Sequence, residues 1–221
     1  GENLGSTAER LVTDTVETLA NLEFAPLSVL LVESCPLLPA RVPGWPDEAF
    51  LRGKTPMTKQ EVRAAVLAKL AVRPDDTLWD VGAGTGSVSV EMALAAPVGR
   101  VCAVECDPEA CALIRQNRAK FAVSNLYLTE GRAPAALAGL PAPDAVFIGG
   151  SKGSMRQIVD AVLAANPAAR LCISAIALET LQEAVAALTV HGLTAQVTQI
   201  AVSRSKQAGA LHLLMANNPV F

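Results

Sequence analysis

The sequence predicts an α/β fold on a seven-stranded, mostly parallel sheet whose last strand runs antiparallel, and three observations predict it. A short apolar run at 77–79 leads into Asp80-Val81-Gly82-Ala83-Gly84-Thr85-Gly86, and a helical pattern over 87–96 follows, stopped by Pro97. Strand, glycine loop and helix in that order open a nucleotide-type βαβ unit. Strand and helix patterns then alternate from 101 to 188, the rhythm of parallel strands joined by crossover helices. That rhythm breaks at the end, where strand patterns at 195–202 and 211–215 follow one another with no helix between them, so the closing strand runs antiparallel.

The elements follow in chain order. Residues 8–22 carry an amphipathic helix pattern and 28–33 a strand pattern, and 35–46 hold four prolines and a glycine, which is linker composition. A helix and a strand cannot bury a core alone, so 1–40 reads as an edge decoration or as the end of a preceding domain plus its linker, and 41–221 as the main domain. Thr58 caps a helix over 59–70, with Glu61 placed to complete a capping box. A strand at 101–105 ends on Glu105, and Asp107 with Pro108 starts a helix over 108–121. A strand at 126–128, a short helix at 133–140 and a strand at 145–148 follow, the last ended by Gly149-Gly150. A helix at 155–165, a strand at 171–176 and a helix at 179–188 complete the alternation.

Composition removes several functions. At 221 residues and 51% hydrophobic, the chain holds one full domain with a real core. A net charge of −3 with 4% aromatics lacks the basic excess of a nucleic-acid surface. Five cysteines without a C-x-x-C pair fit reduced thiols in the cytoplasm, and Cys102 and Cys172 sit in apolar strand patterns as buried thiols. Two histidines make a histidine metal site a poor expectation, and no apolar run has membrane-spanning length. The chain starts at Gly1, so it is read as a fragment or a processed form.

The loop's spacing selects its ligand. A dinucleotide fingerprint is G-x-G-x-x-G, which would put the third glycine where Ser87 stands. Here it comes one residue early, at Gly86, with Asp80 ahead of the first glycine. This D/E-x-G-x-G-x-G form is the one Rossmann-like class I methyltransferases carry for S-adenosylmethionine (SAM). Glu105, ending the second strand, stands where an acid accepts hydrogen bonds from ribose hydroxyls; a nicotinamide site could use the same acid. The small residues around Ala133 leave room for the adenine.

The methyl acceptor is harder to read. Gly149-Gly150-Ser151-Lys152-Gly153 after the fourth strand is not the Asn/Asp-Pro-Pro-aromatic motif of nucleic-acid amino methylators. The carboxylates of metal-dependent catechol methylators are absent there too, and no histidine stands ready as a general base. An electron-rich carbon would need no strong base, only positioning. Three basic groups converge on the C-terminal edge of the predicted sheet: Arg41, Arg52, Lys54 and Lys59; Lys152 and Arg156; Arg204 and Lys206. They suit a substrate rich in carboxylates, and solvated surface charge is the competing reading.

A specific resemblance lies in 44–63, with Gly44-Trp45-Pro46-Asp47-Glu48-Ala49-Phe50 and Arg52-Gly53-Lys54-Thr55-Pro56-Met57-Thr58, and in the glycine loop, Glu130-Gly131-Arg132-Ala133-Pro134 and Phe147-Ile148-Gly149-Gly150-Ser151. Over 44–217 the chain resembles the CbiT family of the cobalamin pathway. Residues 5–33 resemble the tail of a CbiE-type tetrapyrrole methylase domain, and the pair in this order is similar to the fused CobL-type enzymes. The resemblance implies SAM-dependent methylation at C15 of a precorrin with loss of the ring-C acetate carboxylate, C5 methylation in an upstream CbiE-like domain, and a homotetramer. It implies cofactor contacts from Thr58, Gly82, Ala83, Gly84, Thr85, Gly86, Glu105 and Ala133. Substrate contacts are expected from Arg52, Lys54, Gly150, Ser151, Lys152 and Arg204. No residue is assigned as a general acid or base, and no metal, nucleic-acid or membrane partner is expected. The alternatives are a methyltransferase acting on tRNA, protein or another small molecule, and a catalytically idle SAM-binding assembly module.

Overall fold

The computed structural model describes residues 1–32 and 43–221. The chain divides into two compact units, Gly1–Ala40 and Arg41–Phe221. In the larger unit β1 (Thr77–Val81), β2 (Arg100–Glu105), β3 (Leu126–Glu130), β4 (Ala145–Ile148) and β5 (Arg170–Ile173) pair in parallel in the order β3-β2-β1-β4-β5. The order reverses between β1 and β4, and the loops leaving their C-terminal ends open a crevice there.

Both faces of this sheet are covered, as a parallel sheet requires. Leu78, Ala103, Leu126 and Phe147 share one core with α2 (Gln60–Leu70), α3 (Ser87–Ala95) and Ile114 of α4 (Pro108–Lys120). Trp79, Val81, Val104 and Ile148 share the other with α5 (Met155–Ala165) and α6 (Leu178–Val190). Neighbouring residues of β1 thus serve opposite cores, the period-two alternation of a strand. On α5 the buried residues are Met155, Ile158, Val159 and Val162, the i, i+3, i+4, i+7 stripe of a helix laid on a sheet. Asp107 caps α4 by accepting from the Glu109 N–H, with Pro108 in the first turn.

Four expectations are corrected. The predicted seven-stranded sheet is a five-stranded parallel sheet plus a separate antiparallel pair, β6 (Ser203–Ala208) and β7 (Leu211–Ala216). The strand expected at 195–202 does not form; only Ile200 pairs, with Val220. The tight turn at Gly209 (φ 62°) sets the register from Ala208↔Leu211, and the ladder counted back from it leaves 195–202 outside. The helix expected at 133–140 is a 3-10 turn at Ala135–Leu137, confined by Pro134 ahead and Gly139 and Pro141 behind. The capping box at Thr58 is absent. Lys59 is the N-cap of α2 without a side-chain bond, Asp47 accepts the Gln60 N–H at 2.9 Å, and Glu61 turns to Arg204.

In the smaller unit the predicted helix over 8–22 shrinks to α1 (Val16–Leu19), which buries nothing. Asp14 and Thr15 accept local backbone N–H groups, bonds that compete with helix upstream of the cap. Of the strand expected at 28–33, Ser28 makes one bridge to Glu2, and Glu33 lies outside the described residues. Most of the predicted linker, with Arg41, also lies outside them. Among the described residues no helix is long and apolar enough to cross a membrane.

Candidate functional site

The glycine loop is shaped by contacts on three sides. Gly82, Gly84 and Gly86 all have positive φ, at 71°, 56° and 74°, a region that favours glycine. The N–H of Gly82 donates to the Val104 carbonyl at 2.9 Å, and the Gly149 N–H donates to that of Val81 at 2.9 Å. The β1 and β4 loops therefore meet backbone to backbone. A Cβ on Gly82 would lie 2.5 Å from the Gly150 carbonyl oxygen. A Cβ on Gly86 would lie 3.0 Å from Ile114 Cγ1, so that glycine serves the packing of α4 against the loop.

Beside the loop is a cleft of about 300 Å³, within the range of small-molecule sites. Its wall includes Gly82, Gly84, Glu105, Ala133, Gly150, Ser151 and Lys152, so seven of the predicted site residues come together from the ends of β1, β2, β3 and β4. Ala83, Thr85 and Gly86 belong to the loop but do not line the cleft. Thr58 stands outside it, its carbonyl accepting from Arg63. Thr55 and Pro56 line the cleft instead; they lie over Gly84, whose Cβ would be 3.3 Å from the Pro56 carbonyl oxygen. Arg52 and Lys54 are exposed nearby in the chain and absent from the lining. Arg204, on β6, is ion-paired to Asp47 at 2.7 Å and Glu61 at 2.6 Å.

Glu105 is 7% exposed and turns its carboxylate into its own backbone surroundings. Oε1 accepts from the N–H groups of Cys106 (2.8 Å) and Asp107 (2.9 Å), and Oε2 accepts from Gly84 (2.9 Å). A carboxylate has about four acceptor sites, so Glu105 braces the glycine loop and keeps one for a ligand hydroxyl. Cys106, Asp107 and Arg132 also line the cleft; the sequence marks Asp107 only as a helix start and Arg132 only as part of the 130–134 motif, and it gives no signal for Cys106. Lys152, at φ 47°, donates from Nζ to Cys106 Sγ at 3.1 Å, and Arg132 donates to the Lys152 carbonyl at 2.7 Å. The Cys106 sulfur, with the charges of Glu105 and Asp107, raises the Lys152 pKa, so this ammonium stays charged at the cleft mouth.

Behind the loop, Asp80 is fully buried on β1. One oxygen accepts from the Ser89 hydroxyl at the start of α3, and Oδ1 has no hydrogen-bond partner among the described residues. Burial pushes its pKa from 3.8 to about 7, the Glu105 charge adds to the rise, and hydrogen bonds from Ser89 partly oppose it. The Thr85 hydroxyl oxygen is likewise buried without a partner. Among the described residues no cluster of three metal-ligating side chains occurs.

The cleft suits an adenosyl ligand with a polar tail: bare backbone at Gly82, a carboxylate with one acceptor site left at Glu105, and a small residue at Ala133. Residues 48–221 match the model of the precorrin methyltransferase domain family. The cobalt-precorrin-6B C(15)-methyltransferase (decarboxylating) of Salmonella typhimurium is 42% identical over 178 residues, spanning 79% of this chain and 92% of that one. The precorrin-6Y C(5,15)-methyltransferase (decarboxylating) of Sinorhizobium sp. is 40% identical over 167 residues, covering 74% of this chain and 40% of that longer protein. The crystal structure of precorrin-6Y C5,15-methyltransferase from Geobacter metallireducens superimposes with a TM-score of 0.75 at 39% identity, over 81% of this chain and 96% of that one. With its glycine loop, cleft and sheet order already pointing to a Rossmann-like methyltransferase, the chain belongs to the precorrin methyltransferase domain family.

Proposed function

We propose that this chain is a SAM-dependent C-methyltransferase of cobalamin biosynthesis that methylates C15 of a precorrin and removes the carboxylate of its ring-C acetate. The observation that carries this reading is the cleft at the β1/β4 crevice, with a floor of glycine backbone and with Glu105, Asp107, Arg132 and Lys152 as its charged lining. The cofactor supplies an electrophilic methyl group when bound. The chain's own part is positional. Gly82 and Gly84 let the ligand lie on backbone, Glu105 holds the loop and offers one acceptor to a ribose hydroxyl, and Ala133 leaves space for the adenine. Lys152 and Arg132 present charge at the mouth, where acetate and propionate groups of a tetrapyrrole would dock, and Ser151 offers a hydroxyl. Among the described residues no histidine lines the cleft, and its two carboxylates, Glu105 and Asp107, accept backbone N–H groups, which suits a carbon nucleophile that is already electron-rich. Calorimetry should find SAM and S-adenosylhomocysteine binding and none for NADH, and turnover should add one methyl and release one CO₂ per precorrin. Binding of NADH without SAM would overturn the reading.

Residues 1–40 fit the tail of an upstream CbiE-like domain responsible for C5 methylation; the Sinorhizobium relative, longer than this chain, supports that layout. Free thiols at Cys102, Cys106, Cys111 and Cys172 suit the cytoplasm. A homotetramer is the assembly we expect, with the β6–β7 hairpin as its contact, because Leu211, Leu213 and Met215 on one face of β7 are 67%, 49% and 52% exposed and Leu214 on the other is 76% exposed. Leu214→Lys should shift the particle to a smaller species in light-scattering chromatography; an unchanged mass would remove the hairpin from the interface.

A further inference from the structure

We propose that Arg63 is a positioning residue for the cofactor, clamping the strap of residues 43–59 that delivers Thr55 and Pro56 to the cleft above Gly84. The inference rests on the cleft being the cofactor site. Arg63, on α2, is 0% exposed and spends its guanidinium on five partners. Nε donates to Glu91 at 2.7 Å, Nη1 to Asp47 at 2.9 Å and to the Thr58 carbonyl, and Nη2 to the Trp45 carbonyl, while the Phe50 ring lies 4.6 Å from the guanidinium carbon. Four of these five partners belong to the strap. The fifth, Glu91 on α3, itself accepts the strap's Gly44 N–H at 2.7 Å and Trp45 N–H at 3.1 Å.

The strap's only regular structure is a 3-10 turn at Asp47–Ala49, so its buried backbone groups need partners from elsewhere. Arg63 and Glu91 supply them at one end. Further along the strap Asn117, buried on α4, accepts the Leu51 N–H at 2.8 Å and donates to the carbonyls of Leu51 (3.0 Å) and Thr85 (2.9 Å), which ties the strap to the glycine loop itself. Thr55 and Pro56 lie between the anchored residues Leu51 and Thr58. A buried ion network adds little net stability over well-packed apolar side chains. Here Arg63 and Glu91 both bond to the strap, an irregular segment that contributes Thr55 and Pro56 to the cleft wall. The planar fork of arginine suits partners in several directions, which the ammonium of lysine does not reproduce.

The test is Arg63→Lys in the full chain, with SAM affinity by calorimetry and steady-state kinetics. The Kd and KM for SAM should rise about 10- to 100-fold, equivalent to about 1.4–2.8 kcal/mol of lost binding, while kcat at saturating SAM holds. Arg170→Lys is the control. It disturbs a partly buried pair, to Asp76 and the Leu70 carbonyl, away from the cleft, and should lower the melting temperature without changing SAM affinity. Unchanged SAM affinity in Arg63→Lys overturns the proposal, whatever its melting temperature. Should that variant not fold, Asp47→Asn, which keeps an acceptor for the Gln60 N–H and removes the charge shared by Arg63 and Arg204, is read beside Glu61→Gln, which loosens Arg204 alone: a raised KM with kcat held in Asp47→Asn only supports the clamp, and any other result overturns it. SAM affinity retained by Gly82→Ala would instead remove the cleft as the cofactor site. Loss in Gly82→Ala with none in Arg63→Lys would leave the site and remove only the clamp.

Discussion

A Gly82→Ala variant is expected to bind SAM about 100-fold more weakly than the native protein, or not at all, while keeping its far-ultraviolet dichroism. Two effects act together. The residue sits at φ 71°, where an L side chain is strained, and the new methyl would lie 2.5, 2.8 and 2.9 Å from the carbonyl oxygen, nitrogen and Cα of Gly150. All three obstacles are backbone, so no side-chain rotation relieves them. Either the glycine loop or the turn after β4 must move, and both line the cleft. Strain of this kind costs about 1–3 kcal/mol before the contact is counted, and about 3 kcal/mol is a factor of roughly 100 in affinity. Calorimetric titration checks the loss, and native-like affinity would refute the backbone contact as a feature of the site. Gly84→Ala should be milder, since its methyl would meet Pro56 only at 3.3 Å.

The second large effect is a pH-dependent gain in stability for Asp80→Asn. In the native protein this carboxyl titrates at about 7 when folded and near 3.8 when unfolded. Below pH 3.8 both states hold the proton and the group costs nothing. Between 3.8 and 7 the unfolded state ionises first, so native stability falls as pH rises, by about 4 kcal/mol in all at 1.36 kcal/mol per unit. Above 7 the penalty is constant. An asparagine accepts the same Ser89 hydroxyl bond and cannot ionise, so it escapes the slope. Denaturant melts of both proteins from pH 4 to pH 8 should nearly coincide at the acid end and separate towards the alkaline end, with the variant more stable. Parallel curves would refute the raised pKa. The gain should come with weaker SAM binding, because the variant lacks the negative charge that a cationic ligand beside the loop can stabilise, an instance of stability traded against function.

What could be read in advance followed from local rules. The loop spacing at Gly82, Gly84 and Gly86, the placement of Glu105 at a strand end and the Asp107–Pro108 start of α4 are each set within a few residues of chain, and period counting finds them. The remainder depends on partners far away in sequence. Arg204 reads as a free cation beside other cations, and only the fold brings it to Asp47 and Glu61. Thr58 followed by Glu61 has capping-box spacing, yet Arg204 claims Glu61 and Asp47 supplies the bond to Gln60. Arg63 sits among the buried residues of α2, where periodicity expects an apolar side chain. The hairpin's register is set from its turn, so the apolar alternation ahead of it misled the strand assignment.

The strap also equips the molecule with its own optical reporter. The chain has two tryptophans: Trp45 in the strap, packed edge-on to Phe121 at 5.1 Å, and Trp79 in β1, its indole N–H donating to the Pro141 carbonyl at 3.0 Å. The two can be told apart by substitution. A fluorescence change on adding ligand that survives Trp79→Phe and is lost in Trp45→Phe would come from the strap, and following it in stopped flow would time the strap's response without a label.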